Sequence, residues 1–168
     1  MSHSATEGGT IRIPAVGRRV FAAAMIAIGV IGLVKGDFAA IWDGVPSSLP
    51  ARNVLAYACA VISLACGLGL FWRRTSAGAA RVLLAFLMLW LLLVKGRFIV
   101  LAPLVEGSYQ SAGETAVLVA AAWVLYAWFA PDWDRRRLGF ATGENGVRNA
   151  RVLYGLALIA FGLSHFAY

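Results

Sequence analysis

Charged residues are scarce in this sequence. Asp, Glu, Lys and Arg make up 14% of the 168 residues, whereas a soluble domain carries about 25%. Hydrophobic residues reach 61%, so the chain has too little polar surface to cover itself in water. The composition excludes an ordinary soluble domain and predicts that lipid covers part of the surface.

Histidine and cysteine are also few, with two of each in the chain. Cys59 and Cys66 lie seven residues apart in one apolar block, a helical rise of about 10.5 Å, which exceeds the roughly 7 Å that a disulfide can bridge. No Cys and His spacing is typical of a metal site. The chain has no nucleophile motif and no phosphate-binding loop. We therefore predict no metal and no catalytic residue, and a role that leans away from enzymatic activity.

Apolar blocks predict five membrane-spanning helices. The blocks lack the alternating pattern of barrel strands, and each is long enough, or can be extended, to cross a hydrocarbon core of about 30 Å. They cover residues 20–34, 54–72, 82–94, 115–130 and 152–168. The predicted fold is an all-α integral membrane bundle, with a four-helix unit and a fifth span that starts an incomplete second unit.

The predicted organisation has four parts. Residues 1–17 form a flexible tail, 18–131 the four-helix membrane unit, 132–150 a cytoplasmic arginine-rich linker and 151–168 the fifth transmembrane helix. The restarted unit is supported by identities at one fixed offset between the first and fifth spans. The matching pairs are Arg18 and Arg151, Ala24 and Ala157, Ile26 and Ile159, Ala27 and Ala160, and Gly29 and Gly162.

Basic residues are distributed unequally between the two sides of the predicted membrane. Eleven Lys and Arg fall in the tail and in the connections after the second and fourth spans, and four fall on the other side. By the positive-inside rule the N-terminus is cytoplasmic and the protein is a multi-pass protein of the cytoplasmic (inner) membrane. The net charge of +7 is explained by orientation, so we expect the lipid bilayer and not nucleic acid as partner.

A short segment recurs at the outer ends of the first and third spans. Residues 33–38 and 93–98 are identical at five of six positions and carry Lys35, Asp37, Lys95 and Arg97. Both apolar runs are short, and extending the helices through Trp42 and Leu101 brings these charges into the spans.

Because charges inside a membrane need partners, we predict that Asp37 pairs with Lys95 or Arg97. Glu114, at the start of the fourth span, is a second carboxylate within reach.

Two interpretations of these charges stay open. Either the side chains extend into the headgroups and anchor the helix ends, or they line a pocket for an anionic or quinone-like ligand. The pocket of the second interpretation is lined by Lys35, Asp37, Lys95, Arg97 and Glu114, and His165, near the end of the fifth span, is a further candidate.

Several short motifs are present in the chain. They are Ile26-Ala27-Ile28-Gly29, Gly36-Asp37-Phe38, Val45-Pro46, Leu49-Pro50, Gly96-Arg97-Phe98, Gly113-Glu114-Thr115-Ala116 and, in the fifth span, Gly162-Leu163-Ser164-His165-Phe166. Over residues 17–130 and in the restarted unit, these motifs resemble the DoxX-like family of small four-helix membrane proteins. The first helix of that family often has a Gly-x-x-His-Phe pattern, which here occurs in the fifth span, whereas the first span has Gly32-Leu33 at that place.

The resemblance implies a fold more than an activity, although some DoxX-like proteins are subunits of thiosulfate:quinone oxidoreductases and others are linked to oxidative stress. The leading hypothesis is a non-catalytic or accessory membrane subunit, redox-linked, with a membrane redox partner or a second copy of the chain. The alternatives are a quinone- or anion-binding oxidoreductase component that uses the outer charged cluster, and a small transporter. We predict no cofactor under the leading hypothesis and a quinone under the first alternative.

Overall fold

The structure is a computed structural model that describes residues 15–42, 44–103 and 105–166. Within these ranges all regular structure is helical, which confirms the predicted all-α class. The elements in chain order are α1 (Ala15–Lys35), a 3₁₀ turn (Ala40–Trp42), α2 (Arg52–Gly69), α3 (Ser76–Trp90), a π-helical turn (Leu91–Lys95), α4 (Gly96–Leu101), α5 (Glu106–Phe129), α6 (Asp132–Arg137) and α7 (Gly143–Phe166).

Four helical segments are long and apolar enough to cross a membrane. They are Val16–Lys35, Arg52–Gly69, Ser76–Leu101 and Gly107–Phe129. Many of their large apolar side chains point outward and are exposed, as expected of helices that face lipid rather than water. This arrangement indicates a multi-pass membrane protein.

The predicted fifth span lies in α7, which begins at Gly143. This helix is not one of the four apolar segments, and its first turns carry Glu144, Arg148 and Arg151. Its passage through a membrane therefore stays a prediction. The segment 132–150, predicted as a linker, contains α6 and the start of α7. Most of the predicted tail, residues 1–14, lies outside the described residues.

The first span ends earlier than predicted. Gly36 takes a left-handed backbone with φ 65°, and its N–H donates to the Gly32 carbonyl at 3.0 Å. Glycine adopts this conformation without a Cβ penalty and commonly terminates helices. The prediction that the helix continues through Trp42 is wrong, because α1 stops at Lys35 and Asp37 lies in the loop that follows.

The third span does continue as predicted. Helical structure runs from Ser76 to Leu101 and includes both Lys95 and Arg97. The π-helical turn interrupts it once without ending it.

The long helices pack side by side in the order α1, α2, α3, α5 and α7. Small residues allow α1 and α2 to approach closely, since a Cβ added to Gly29 would lie 2.7 Å from the Ala60 carbonyl oxygen. Such small-residue contacts are typical of helix pairs in membranes. At the far side of the bundle, the Arg18 guanidinium lies 5.7 Å from the centre of the Phe129 ring. This contact brings the start of α1 to the end of α5.

The bundle has two chemically different ends. The arginine-rich end contains the start of α1, the connection from α2 to α3, the end of α5, α6 and the start of α7. An ion pair between Arg81 and Asp134, at 3.2 Å, joins α3 to α6 there. The opposite end contains the end of α1, the 3₁₀ turn, the start of α2, the π-helical turn, α4 and the start of α5.

Candidate functional site

Lys95 is the buried residue among the candidates whose side chains the structure describes. Only 1% of its surface is exposed, and its Nζ donates a hydrogen bond to Ser111 Oγ at 2.6 Å. A buried ammonium is costly unless it is hydrogen-bonded, and charges inside spans often mark functional sites. Lys95 therefore lies between helices and does not extend to the headgroups.

The π-helical turn explains why Lys95 faces inward. Leu83, Leu87 and Trp90 form the buried face of α3, and at 3.6 residues per turn a regular helix would continue this face at Val94. A π turn accommodates one extra residue. Lys95 consequently takes the inward position, and Val94 is only half-buried. Irregularities of this kind occur frequently at functional sites.

A stripe of hydroxyl side chains on α5 faces this region. Ser108 and Thr115 are buried, Ser111 accepts the Lys95 hydrogen bond, and the Thr115 hydroxyl donates to the Ser111 carbonyl at 3.4 Å. Intervals of three and four residues place all three on one side of the helix. The sequence-based candidates did not include them, although this spacing was a readable signal.

Four aromatic rings pack together at the same end of the bundle, two from the segment after α1 and two from α3. The centre of the Trp42 ring lies 5.2 Å from that of Trp90 and 5.0 Å from that of Phe86. The Phe38 ring lies 5.8 Å from Trp90. The rings are tilted or edge-on, as aromatic quadrupoles prefer. The loop therefore covers the end of the bundle with an aromatic layer.

The two tryptophans of this layer carry unused hydrogen-bond donors. The Nε1 atoms of Trp42 and Trp90 are buried and have no acceptor within the described part of the chain. A buried donor without a partner costs about 1–3 kcal/mol, so it calls for an explanation such as a ligand or an ordered water. Trp90 and Lys95 flank the same π-helical turn. Lys95, Ser111, Trp42 and Trp90 are here called the lysine–tryptophan site.

Asp37 belongs to a separate ion pair at the surface. Its Oδ1 accepts hydrogen bonds from the Phe38 N–H and from Arg52 Nη1, both at 2.6 Å. The Phe38 N–H, followed by Arg52, lowers the pKa of the Asp37 carboxyl below its ordinary value. The prediction that Asp37 pairs with Lys95 or Arg97 is wrong, because the left-handed Gly36 turns the chain toward the start of α2, where Arg52 lies.

The remaining candidates do not gather around Lys95. Lys35, Arg97 and Glu114 are all exposed, although the Lys35 charge contributes to the lowered pKa of Asp37. The side chain of His165 lies outside the described residues. Among the candidates whose side chains are described, Lys95 is therefore buried, Asp37 belongs to an ion pair with Arg52, and Lys35, Arg97 and Glu114 are exposed.

The arginine-rich end contains a second buried charge that was not predicted. Asp134 on α6 is fully buried and pairs with Arg81 of α3. Arg137 lies 4.3 Å from the centre of the Trp133 ring, and Arg81 lies 5.7 Å from it. The two contacts of Arg81, with Asp134 and with the Trp133 ring, hold α6 against α3. The surrounding segment is polar in sequence, which gave no signal that one of its carboxylates would be buried.

Comparisons with known proteins add no functional information. A scan against protein-family models finds no match for the chain, and searches of curated proteins and of solved structures also find none. The chemistry of the lysine–tryptophan site is therefore argued from its residues. Hydrogen-bond donors surrounded by aromatic rings suit a flat ligand that carries hydrogen-bond acceptors.

Proposed function

We propose that the protein is a non-catalytic, accessory membrane subunit that binds a quinone-type ring at the lysine–tryptophan site. The observation that carries the proposal is the pair of buried indole donors, Trp42 Nε1 and Trp90 Nε1, which lack a described acceptor. They lie in one aromatic layer, and Trp90 directly precedes the π-helical turn that ends at the buried Lys95.

A quinone fits these groups for chemical reasons. Its ring is flat and apolar, so it can pack against indole and phenyl rings. Its carbonyl oxygens are acceptors for indole N–H groups and for an ammonium. Quinones are also dissolved in the bilayer, so a site between membrane helices can be filled from the lipid.

The accessory role and the DoxX-like assignment complete the proposal. The motifs that resemble DoxX-like proteins, some of which belong to quinone oxidoreductases, support a redox-linked role. The partner would be a membrane redox protein or a second copy of the chain. The positive-inside rule supports a cytoplasmic arginine-rich end and N-terminus in the cytoplasmic membrane.

Quenching of tryptophan fluorescence by decylubiquinone tests the site directly. The purified full chain in detergent should show saturable quenching, because two of its six tryptophans would contact the ring. Lys95→Met removes the charge but keeps the aliphatic stem, and should weaken binding roughly ten- to a hundredfold. Trp90→Phe should weaken it less, since it removes one neutral donor.

The repeated segment offers a matched control. Lys35→Met makes the same substitution at the equivalent position of an exposed lysine and should leave quinone affinity unchanged. Equal weakening in Lys35→Met and Lys95→Met, or no saturable quenching in the unmodified protein, would contradict the site. Reduction of the quinone by the isolated chain with a soluble electron donor would contradict the non-catalytic role.

A small anion is the second candidate ligand, favoured by the buried positive charge of Lys95. The affinity for an anion would not depend on the two indole N–H donors, and added salt would lower it. Sulfate or thiosulfate that displaces decylubiquinone at millimolar concentration, or that binds when the quinone does not, would favour this candidate.

A further inference from the structure

A cleft at the arginine-rich end is separate from the lysine–tryptophan site. It has a volume of about 440 Å³ and lies between the end of α5, α6 and the start of α7. Ala127, Trp128 and Val147 give it an apolar floor. Its basic residues are Arg135, Arg148 and Arg151, and its acidic residue is Glu144.

The arginines leave the cleft positively charged. Three guanidinium groups and one carboxylate, that of Glu144, line the cleft. Arg135 is held in place, since its Nε donates to the Ala130 carbonyl at 3.0 Å and its Nη2 to the Trp128 carbonyl at 3.3 Å. Guanidinium groups match the geometry of phosphate oxygens and are weakly hydrated. The cleft therefore suits a phosphate group better than a neutral one.

An apolar groove lies next to the cleft, along the membrane-spanning part of α5. Its volume is about 240 Å³, and Arg151 lines both spaces. From Val117 to Val124 the α5 side of the groove is about 10 Å long. Tyr154 and Ala150 form the α7 side.

We infer that the cleft and the adjoining groove together bind one anionic phospholipid. The phosphate would lie against Arg148 and Arg151, and an acyl chain would follow the groove between α5 and α7. The positions of these groups match a phospholipid in a bilayer. The arginines lie at the end of the spans, where the headgroup would be, and the apolar groove runs toward the middle of the spans, where an acyl chain would be. Basic clefts at the ends of spans attract anionic headgroups in this way.

Native mass spectrometry of the full chain measures this binding. Dioleoylphosphatidylglycerol should bind as a resolved one-to-one adduct and dioleoylphosphatidylcholine much more weakly. The double variant Arg148→Gln/Arg151→Gln should lower affinity for the anionic lipid roughly 10- to 30-fold. The matched control, Arg73→Gln/Arg74→Gln, removes the same charge from exposed arginines at the same end of the bundle and should change affinity less than about twofold.

Two further measurements distinguish phospholipid binding from an effect of net charge and from binding of a phosphate group alone. Ala121→Phe fills the groove without changing charge and should weaken phospholipid binding but not that of glycerol 3-phosphate. Equal loss in both double variants would show that only net charge matters and would overturn the site. Inorganic phosphate that fully displaces the lipid, or an Ala121→Phe variant with unchanged lipid affinity, would overturn the phospholipid as occupant. Unchanged helix content by circular dichroism verifies folding of each variant.

Discussion

The two copies of the repeated segment differ in backbone structure and in the burial of their lysine. Residues 33–38 and 93–98 differ at one position in six. In the first copy Gly36 has φ 65° and ends the helix, and Lys35 is exposed. In the second copy Gly96 has φ −59° and the helix continues, and Lys95 is buried. The same five residues therefore produce a helix end in one place and a buried lysine in the other.

The difference comes from what surrounds each copy. A Cβ on Gly36 would lie 3.0 Å from the Tyr57 hydroxyl of α2, and the next residue, Asp37, pairs with Arg52 in the loop. Gly96 is instead followed by residues that stay helical to Leu101. The pairing of Lys95 with Ser111 of α5 accompanies the π-helical turn. Tertiary contacts, including the one made by the differing residue Asp37, distinguish the copies.

Charge reversal at Lys35 and at Lys95 should give the largest difference in stability between the two copies. Lys95→Glu places a carboxylate where a buried ammonium donates its hydrogen bonds, and should destabilise the protein by about 3–5 kcal/mol. Lys35→Glu acts at an exposed position and should change stability by less than about 0.5 kcal/mol. The midpoint of thermal unfolding in detergent measures both.

A folded variant is needed if Lys95→Glu does not accumulate. Lys95→Met removes the charge without adding one, and replacement of buried ionic groups by apolar ones is often tolerated. Equal unfolding midpoints for the two Glu variants would mean that Lys95 is not buried in the protein.

Alanine at the two glycines should change stability in opposite directions. Gly36→Ala forces a left-handed alanine and should destabilise by about 1–2 kcal/mol. Gly96→Ala lies in a helical backbone and should stabilise by up to about 1 kcal/mol, with its Cβ 3.4 Å from the Leu91 carbonyl oxygen. Unfolding midpoints that shift in the same direction would contradict the assignment of Gly36 as the helix end.

Acidification should produce the smallest effect, and only in the first copy. The pKa of Asp37 is lowered by the Phe38 N–H, Arg52 and Lys35. Its contribution to stability is therefore fully present above the ordinary value of 3.8 and is lost as the pH falls through the lowered pKa. The advantage of the unmodified protein over Asp37→Asn should be constant above about pH 5 and should shrink as the pH falls from about 5 toward about 2. Because the Asp37 side chain is 50% exposed, the difference in unfolding midpoint should be small, and a constant difference across this range would contradict the ion pair.

Sequence reasoning was successful where the signal was long and apolar. The helical class and the continuation of the third span through Lys95 to Leu101 follow from the number of apolar residues that a bilayer requires. It failed where a single backbone angle decided the outcome. Gly36 and Gly96 are equivalent in sequence, so the prediction extended both helices and placed Asp37 next to the wrong partner.

The candidate site was predicted only in part for a related reason. Lys95 was identified by its charge inside an apolar segment. The hydroxyl that accepts its hydrogen bond comes from α5, and one of the two indole donors, Trp42, comes from the 3₁₀ turn after α1. Serine and tryptophan are common residues, and they contribute to a site only when folding brings them close to one another. The order of residues along the chain does not show which of them will be close in space.

The sequence by itself determined that the chain forms apolar helices able to cross a membrane, because burying backbone polar groups in lipid leaves helices as the structure for long apolar segments. Only the tertiary structure decided which lysine is buried, which helix ends at its glycine and which residues meet around Trp90. At a glycine, the helical and the left-handed backbone conformations differ in free energy by only about 1 kcal/mol. Contacts between distant parts of the chain therefore select the conformation.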